Sequence, residues 1–331
     1  MDKEINYSII IPHKNIPDLL QRCLASIPRR EDVQIIVVDD NSDPDKVDFE
    51  HFPGLGDPFV EVVFTKEGKG CGYARNVGLS RARGKWLLFA DADDFYNYCI
   101  NDILDEYVNS DADIVYFKWN SLDSATYTTT YRCIHFNAYI NYWFYSPHKA
   151  DTLLRYKHPS ACGKLFKKEL VHKNSILFDE VSIYDDVTFA YLSGYYANSI
   201  KADARALYCV TVRQGSILRS KITVEKKLDG LYVGGKRYLF FKKYGIQIGY
   251  ERTFINSLIK LILIEKMVHG VGNVSKAKGI LLNLGFTSGV IIRLCIYNII
   301  TYIPKNIIIK LFPERKYLTV YDSKFRKFLR K

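Results

Sequence analysis

The sequence contains no CxxC pair. Its seven cysteines, Cys23, Cys71, Cys99, Cys133, Cys162, Cys209 and Cys295, form an odd, scattered set, which argues against a disulfide framework and a zinc site and fits a reducing cytoplasm. The start, MDKEINYSIIIP, has acidic residues and only a short apolar run. A secretory leader needs a basic stretch and a longer apolar core, so the expectation is a chain that is not exported. The uncharged runs on either side of Arg293 are 14 and 11 residues, both short of the ~20 needed to span a bilayer. There is no internal repeat, no low-complexity segment, no GxxxxGK[ST] phosphate loop and no recognised nucleic-acid motif.

What remains is globular. The chain has 331 residues, 48% hydrophobic and 25% charged, enough for one large domain or two smaller ones with a proper core. Its formal charge of +11 suits nucleic acid, an anionic membrane surface or a phosphate-bearing substrate alike. Much of that charge is local: Lys305 to Lys331 holds nine Lys/Arg against Glu314 and Asp322. There it is interleaved with Ile307, Ile308, Ile309, Leu311, Phe312, Tyr317, Phe325 and Phe328, a basic amphipathic pattern that suits peripheral contact with an anionic bilayer or a solvated basic face.

The first part alternates short apolar runs with helical stretches: YSIIIP (7–12), LLQRCLASI, VQIIVVDD (33–40) and VEVVF (60–64). That alternation predicts parallel strands with crossover helices, the strands covered on both faces. A helix is expected over Cys71 to Ala82, then KWLLFADADD as another buried strand. From about Trp119 to Ser220 the chain is rich in Tyr and Phe, and beyond Thr223 it reads as mostly helical. The expected division is one α/β domain over 1–222, with a first half over 1–118 and a second half over 119–222. A helical, basic region follows over 223–331.

Both acidic groups in this half fall at strand ends, where open parallel sheets collect ligands. Asp91, Asp93 and Asp94 crowd together after KWLLFA, and like charges so close call for something positive. A hard cation such as Mg²⁺ or Mn²⁺ prefers carboxylate oxygens and shares its other positions with water and phosphate. Alternation along a strand would aim Asp91 and Asp93 the same way, with Ala92 leaving space; a solvated loop or helix cap is the plainer reading. Asp39 and Asp40 precede Asn41 and Ser42, so they either cap a turn or accept hydrogen bonds from a nucleobase or ribose. In KGCGYARNVGLSRARG, glycines and Arg75 at an expected helix start would seat a diphosphate, or make a surface helix with a loose entry.

Taken in order, YSIIIPHKN, VQIIVVDDNSD and GYARNVGLSRARGKWLLFADADD resemble the nucleotide-binding half of inverting family 2 glycosyltransferases. The resemblance implies a GT-A fold: α/β, Rossmann-like, a mainly parallel sheet flanked by helices, here with a C-terminal helical extension. It implies that Asp39 and Asp40 bind base and ribose, that Pro12 and the turn after it frame the nucleotide, and that Arg75 and Asn76 close over the donor. It implies further that Asp91, Ala92 and Asp93 form the metal motif, with Asp93 and Asp91 the ligands of Mn²⁺ or Mg²⁺. More weakly, ACGKLFKKELV around Lys164 resembles a donor-side segment, and LFDEVSIYDDVTFAYL a segment carrying the catalytic base. Asp186 is the expected base, with Asp185 its neighbour and second choice. VTVRQGSILRS resembles a further segment, in which Arg213 and Ser216 would contact the diphosphate or shape a lid.

The implied reaction is transfer from a nucleotide sugar, UDP-linked, to a hydroxyl of a glycan or lipid-linked acceptor in surface polysaccharide assembly. The implied location is cytoplasmic and peripheral at the inner face of the membrane. A carboxylate base aligned opposite the leaving diphosphate meets the chemical need. The alternatives are a non-catalytic nucleotide-sugar-binding protein, a nucleic-acid binder, and a two-carboxylate glycoside hydrolase, which would need neither metal motif nor nucleotide pocket.

Overall fold

The computed structural model describes residues 4–213, 215, 223–250, 254 and 271–292. The chain divides into two compact units, Met1–Lys221 and Ile222–Lys331. In the first, an eight-stranded sheet runs in the order β3-β2-β1-β4-β7-β6-β8-β5. Its strands are β1 (Tyr7–His13), β2 (Val33–Asp40), β3 (Val60–Thr65), β4 (Trp86–Phe89), β5 (Phe95–Tyr96), β6 (Ile114–Asp123), β7 (Lys164–Lys167) and β8 (Ile200–Val212). β1 to β4 are mutually parallel, β7 runs antiparallel to both β4 and β6, and β6 pairs parallel with β8.

Every residue of β1 and β2 is buried, as their unbroken Ile and Val content requires of strands covered on both faces. Helices α1 (Pro17–Ala25), α2 (Cys71–Arg81) and α3 (Ile100–Tyr107) are the crossovers of this half. α2 lies so close to β1 that a Cβ on Gly78 would sit 2.5 Å from the Cγ2 of Ile10. Pro12 is tolerated in a central strand because the β1–β4 pairing ends at Ile10 and Phe89, beyond which its missing N–H is not needed on that side.

The second half of the unit carries α4 (Ile134–Tyr145), α5 (Pro147–Lys157), α6 (Lys168–Lys173) and α7 (Asp185–Tyr196). Phe89 of β4 meets Phe166, Phe178 and Phe189 edge to face at 5.0–6.0 Å, so the two halves share one aromatic core. The described part of the second unit includes α8 (Val224–Lys243) and α9 (Val271–Asn283), packed through Leu231, Tyr238, Ala277 and Leu281. Thr223 caps α8, its hydroxyl accepting from Lys226 N at 3.3 Å. Among the described residues no helix is long and apolar enough to cross a membrane. The basic stretch from Lys305 and Ser216 lie outside the described residues.

Candidate active site

Parallel register sets the first corner. β1 and β2 align His13 with Asp39, and His13 Nδ1 donates to Asp39 Oδ2 at 2.7 Å while its Nε2 accepts from Ile16 N. Asp39 also accepts from the Ser42 amide and hydroxyl. Burial alone would raise its pKa, but these hydrogen bonds prevail and hold it below the usual carboxylate range. Asp39 is thus occupied in tying the two strand ends together. Its neighbour is different: Asp40 Oδ2 takes the Gly70 amide at 2.8 Å and Lys14 at 3.4 Å, whereas Asp40 Oδ1 is buried without a partner. A buried acceptor left open costs free energy unless a ligand donor completes it.

The second corner is the acidic turn. β4 stops at Phe89, so Asp91 and Asp93 are not alternate residues of a strand; a turn, with Asp94 N donating to Asp91 O at 3.0 Å, brings them together instead. The cluster contains Asp94 as well, and the carboxylate oxygens of Asp91, Asp93 and Asp94 lie within 4.8 Å of one another. Each is already neutralised or hydrogen-bonded. Arg75 NH2 donates to Asp91 at 2.5 Å, Arg213 Nε to Asp93 at 2.8 Å, and Tyr208 OH and Thr211 N to Asp94. Burial first, then Asp91 and Asp93, push the Asp94 pKa well up. Arg22 donates to the Asp93 carbonyl at 2.5 Å and Thr211 Oγ1 at 2.6 Å, which fixes the turn on β8.

The third corner arrives from α7. Tyr184 takes a left-handed backbone (φ 62°) and starts the helix at Asp185, where first-turn carboxylates meet the positive end of the dipole. Arg75, 5% exposed, donates through NH1 to Asp185 while its other nitrogen holds Asp91. One guanidinium therefore joins the acidic turn to the α7 terminus across 94 positions of sequence. Asp186 stands beside them and accepts from Ala161 N at 3.4 Å. Burial, then the charge of Asp185, push its pKa up to about 7, against the pull of Arg75.

Gly72 permits this approach. A Cβ there would lie 1.9 Å from Asp179 O and 3.1 Å from Asp185 Cβ. Gly72→Ala should push the α2 start off the 179–185 segment, costing about 1–3 kcal/mol and parting Arg75 from Asp185. Denaturant unfolding and a transfer assay on the same preparation check both effects.

Other expected site residues fall elsewhere. Asn76 clamps backbone, its Oδ1 accepting from Phe178 N at 2.9 Å and its Nδ2 donating to Phe178 O at 3.0 Å, so its amide positions the segment before α7. Pro12 and Ala92 are buried and offer shape. Lys164 is 1% exposed, donating to His158 O at 2.8 Å over the Tyr116 ring, which leaves almost no surface to offer a nucleotide. Burial lowers its pKa to about 7, with Asp186 opposing. Because the unfolded chain keeps that proton up to about 10.4, the wild type should gain stability as pH rises from about 7 toward 10. Melts of Lys164→Met across that range should lack this rise.

Sequence reading passed over Arg22, Tyr208 and Thr211. Nothing local in LYCVTV shows that it meets the acidic turn more than 110 residues earlier.

A mainly parallel sheet with carboxylates gathered beyond its strand ends, and an acidic helix start brought against them, is the layout of a GT-A-type glycosyltransferase. The fold is shared with a solved structure of Staphylococcus aureus TarS residues 1–349 in complex with UDP-GlcNAc, with a TM-score of 0.54 at 17% identity over 85% of this chain and 89% of that one. Residues 8–174 match the model of glycosyl transferase family 2, and the chain belongs to that family. Relatives include the uncharacterized glycosyltransferase EpsJ of Bacillus subtilis, 24% identical over 72% of this chain and 70% of the relative. Glycosyltransferase GlyG of Streptococcus pneumoniae is 24% identical over 76% of this chain and 86% of its own length. The chain is a glycosyltransferase.

Proposed function

We propose that this enzyme transfers a sugar from a UDP-linked donor to a hydroxyl of a glycan or lipid-linked acceptor, with inversion, in surface polysaccharide assembly at the inner face of the membrane. The observation that carries it is the Arg75 bridge, which makes one site of the acidic turn and the α7 carboxylates. UDP is favoured because Asp40 Oδ1 is an open buried acceptor suited to a base N–H, and because the TarS neighbour was solved with a UDP-sugar.

Asp186 is the base in this reading. It takes the acceptor hydroxyl proton as the oxygen attacks the anomeric carbon, and a pKa of about 7 suits proton transfer near neutrality. Asp185, bound to Arg75, fixes the helix end beside it. The carboxylates of the acidic turn lie within 4.8 Å of one another and supply hard oxygen donors fit for Mg²⁺ or Mn²⁺, so Asp93 and Asp91 are the residues that would hold it, with Asp94, held by Tyr208 and Thr211, behind them. When bound, such an ion offsets charge on the departing diphosphate. Arg213, a quarter exposed beside Asp93, would share that charge.

Incubation with a panel of nucleotide sugars and acceptors, reading nucleoside diphosphate release and product anomer, tests the proposal. Turnover confined to UDP-sugars with an inverted product supports it. Donor binding without release under every condition would leave only a binding protein.

A further inference from the structure

The stretch from Ser124 to Ala150 contains no Asp or Glu, yet carries Arg132, His135, His148 and Lys149, all exposed. α4 lies at its centre and is held from one side. Asn137 Oδ1 accepts from Trp119 N and its Nδ2 donates to Trp119 O, both at 2.9 Å. Phe136 stacks on His158 at 4.4 Å, and Ile140 is fully buried. The helical period then turns Ile134, Ala138, Asn141 and Tyr145 the other way, and all four are exposed.

Asn141 apart, that outward face is apolar and aromatic: Ile134 is 53% exposed and Tyr145 86%, and Tyr131, one turn before the helix, is 80% exposed. Phe144, on the Ile140 side near the end of the helix, is 57% exposed and extends the apolar surface there. Large apolar side chains gathered on one exposed face mark an interaction surface, and rings with a polar tip favour the boundary between lipid and water. Tyr127, four residues before Tyr131 and 56% exposed, leads from this segment to the active site. Tyr127 OH accepts from Arg22 at 3.5 Å, and the same guanidinium donates to the Asp93 carbonyl at 2.5 Å.

We infer that the face formed by Tyr131, Ile134, Ala138 and Tyr145, with Phe144 at its edge, rests on an anionic lipid bilayer. Lys149 and Arg132, whose guanidinium also donates to Thr211 O at 3.3 Å, are the formal cations of this acid-free stretch and supply the charge complement to its headgroups. A soluble anionic polymer would call for dense cations. Here only two formal cations accompany several exposed apolar side chains, so apolar burial is the main attraction and charge the supplement. Contact here brings the rim of the cleft at Tyr127 to the membrane surface, where a lipid-borne hydroxyl would be presented. This inference does not depend on which nucleotide sugar is used, nor on the basic stretch from Lys305.

The test reads α4 itself in the full chain. Ala138→Cys carries an environment-sensitive fluorophore, labelled wild type gives the background, and vesicles are phosphatidylcholine with or without phosphatidylglycerol. Expected are a blue shift at position 138 on the anionic vesicles and quenching there by brominated lipids. Combining Phe144→Glu with Tyr145→Glu should lower vesicle partitioning about tenfold and leave transfer to a soluble acceptor unchanged. Three results would overturn the inference: no vesicle binding, binding without a shift at position 138, or an equal shift with soluble polyphosphate, which would make the face a polymer site.

Discussion

Asp186→Asn is expected to lower sugar transfer by about 10²–10⁴-fold while donor binding, read by titration with UDP, stays intact. The base acts only as carboxylate, and burial with Asp185 beside it holds its pKa at about 7. Wild-type rate should therefore climb with pH through about 7 and level above it, and the residual rate of the variant should lack that limb. Stability gives an independent reading. The folded state holds the Asp186 proton more tightly than the unfolded chain, so this group's contribution is favourable at low pH and is lost as pH rises from about 4 to about 7. Above that range the Asn variant should melt higher than wild type. Loss of transfer with a gain in stability separates a missing base from a damaged fold.

Arg75→Ala should be the most damaging single change to structure and activity together. It leaves Asp91 and Asp185 without their shared cation, and an ion pair broken from one side in a largely buried setting costs about 3 kcal/mol. Asp91, 43% exposed, recovers some of that through water; Asp185, 15% exposed, recovers less. Burial raises the pKa of both Asp185 and Asp186, and the guanidinium pulls against it, so whatever transfer survives should have its pH limb moved upward. Arg75→Lys keeps the charge and loses the fork, and belongs between the two. Denaturant unfolding and a pH–rate profile of the three proteins measure these effects. An unshifted limb in Arg75→Ala would disconnect Arg75 from the base.

The parallel half was legible because its signals are local. The runs around Ile10, Ile36 and Leu88 are continuous, their ends are marked by Asp40 and Asp91, and α2 begins with glycines at Gly70 and Gly72. The arrangement of the acids was less so. The turn at Asp91 to Asp94 overrides strand alternation because β4 ends at Phe89, and the division of labour between Asp39 and Asp40 depends on β1 register bringing in His13. Lys164 shows a third limit. Its sequence neighbours resembled a ligand-binding segment, but β7 is interior to the sheet and burial turns the side chain into a core group. The Arg75 bridge could not be read at all, since it spans two elements that share no local pattern.

The acidic turn after β4 has protein cations at Asp91 and Asp93, and the proposed chemistry asks it to hold a divalent ion against the donor diphosphate as well. The most direct measurement is transfer from a UDP-sugar after removal of divalent ions with a chelator, followed by addition of Mn²⁺. The expected result is loss of transfer, recovery with Mn²⁺, and no recovery in Asp93→Asn. Undiminished transfer in the chelator, with Asp93→Asn as active as wild type, would mean that Arg75 and Arg213 alone balance these acids and that the enzyme works without a metal.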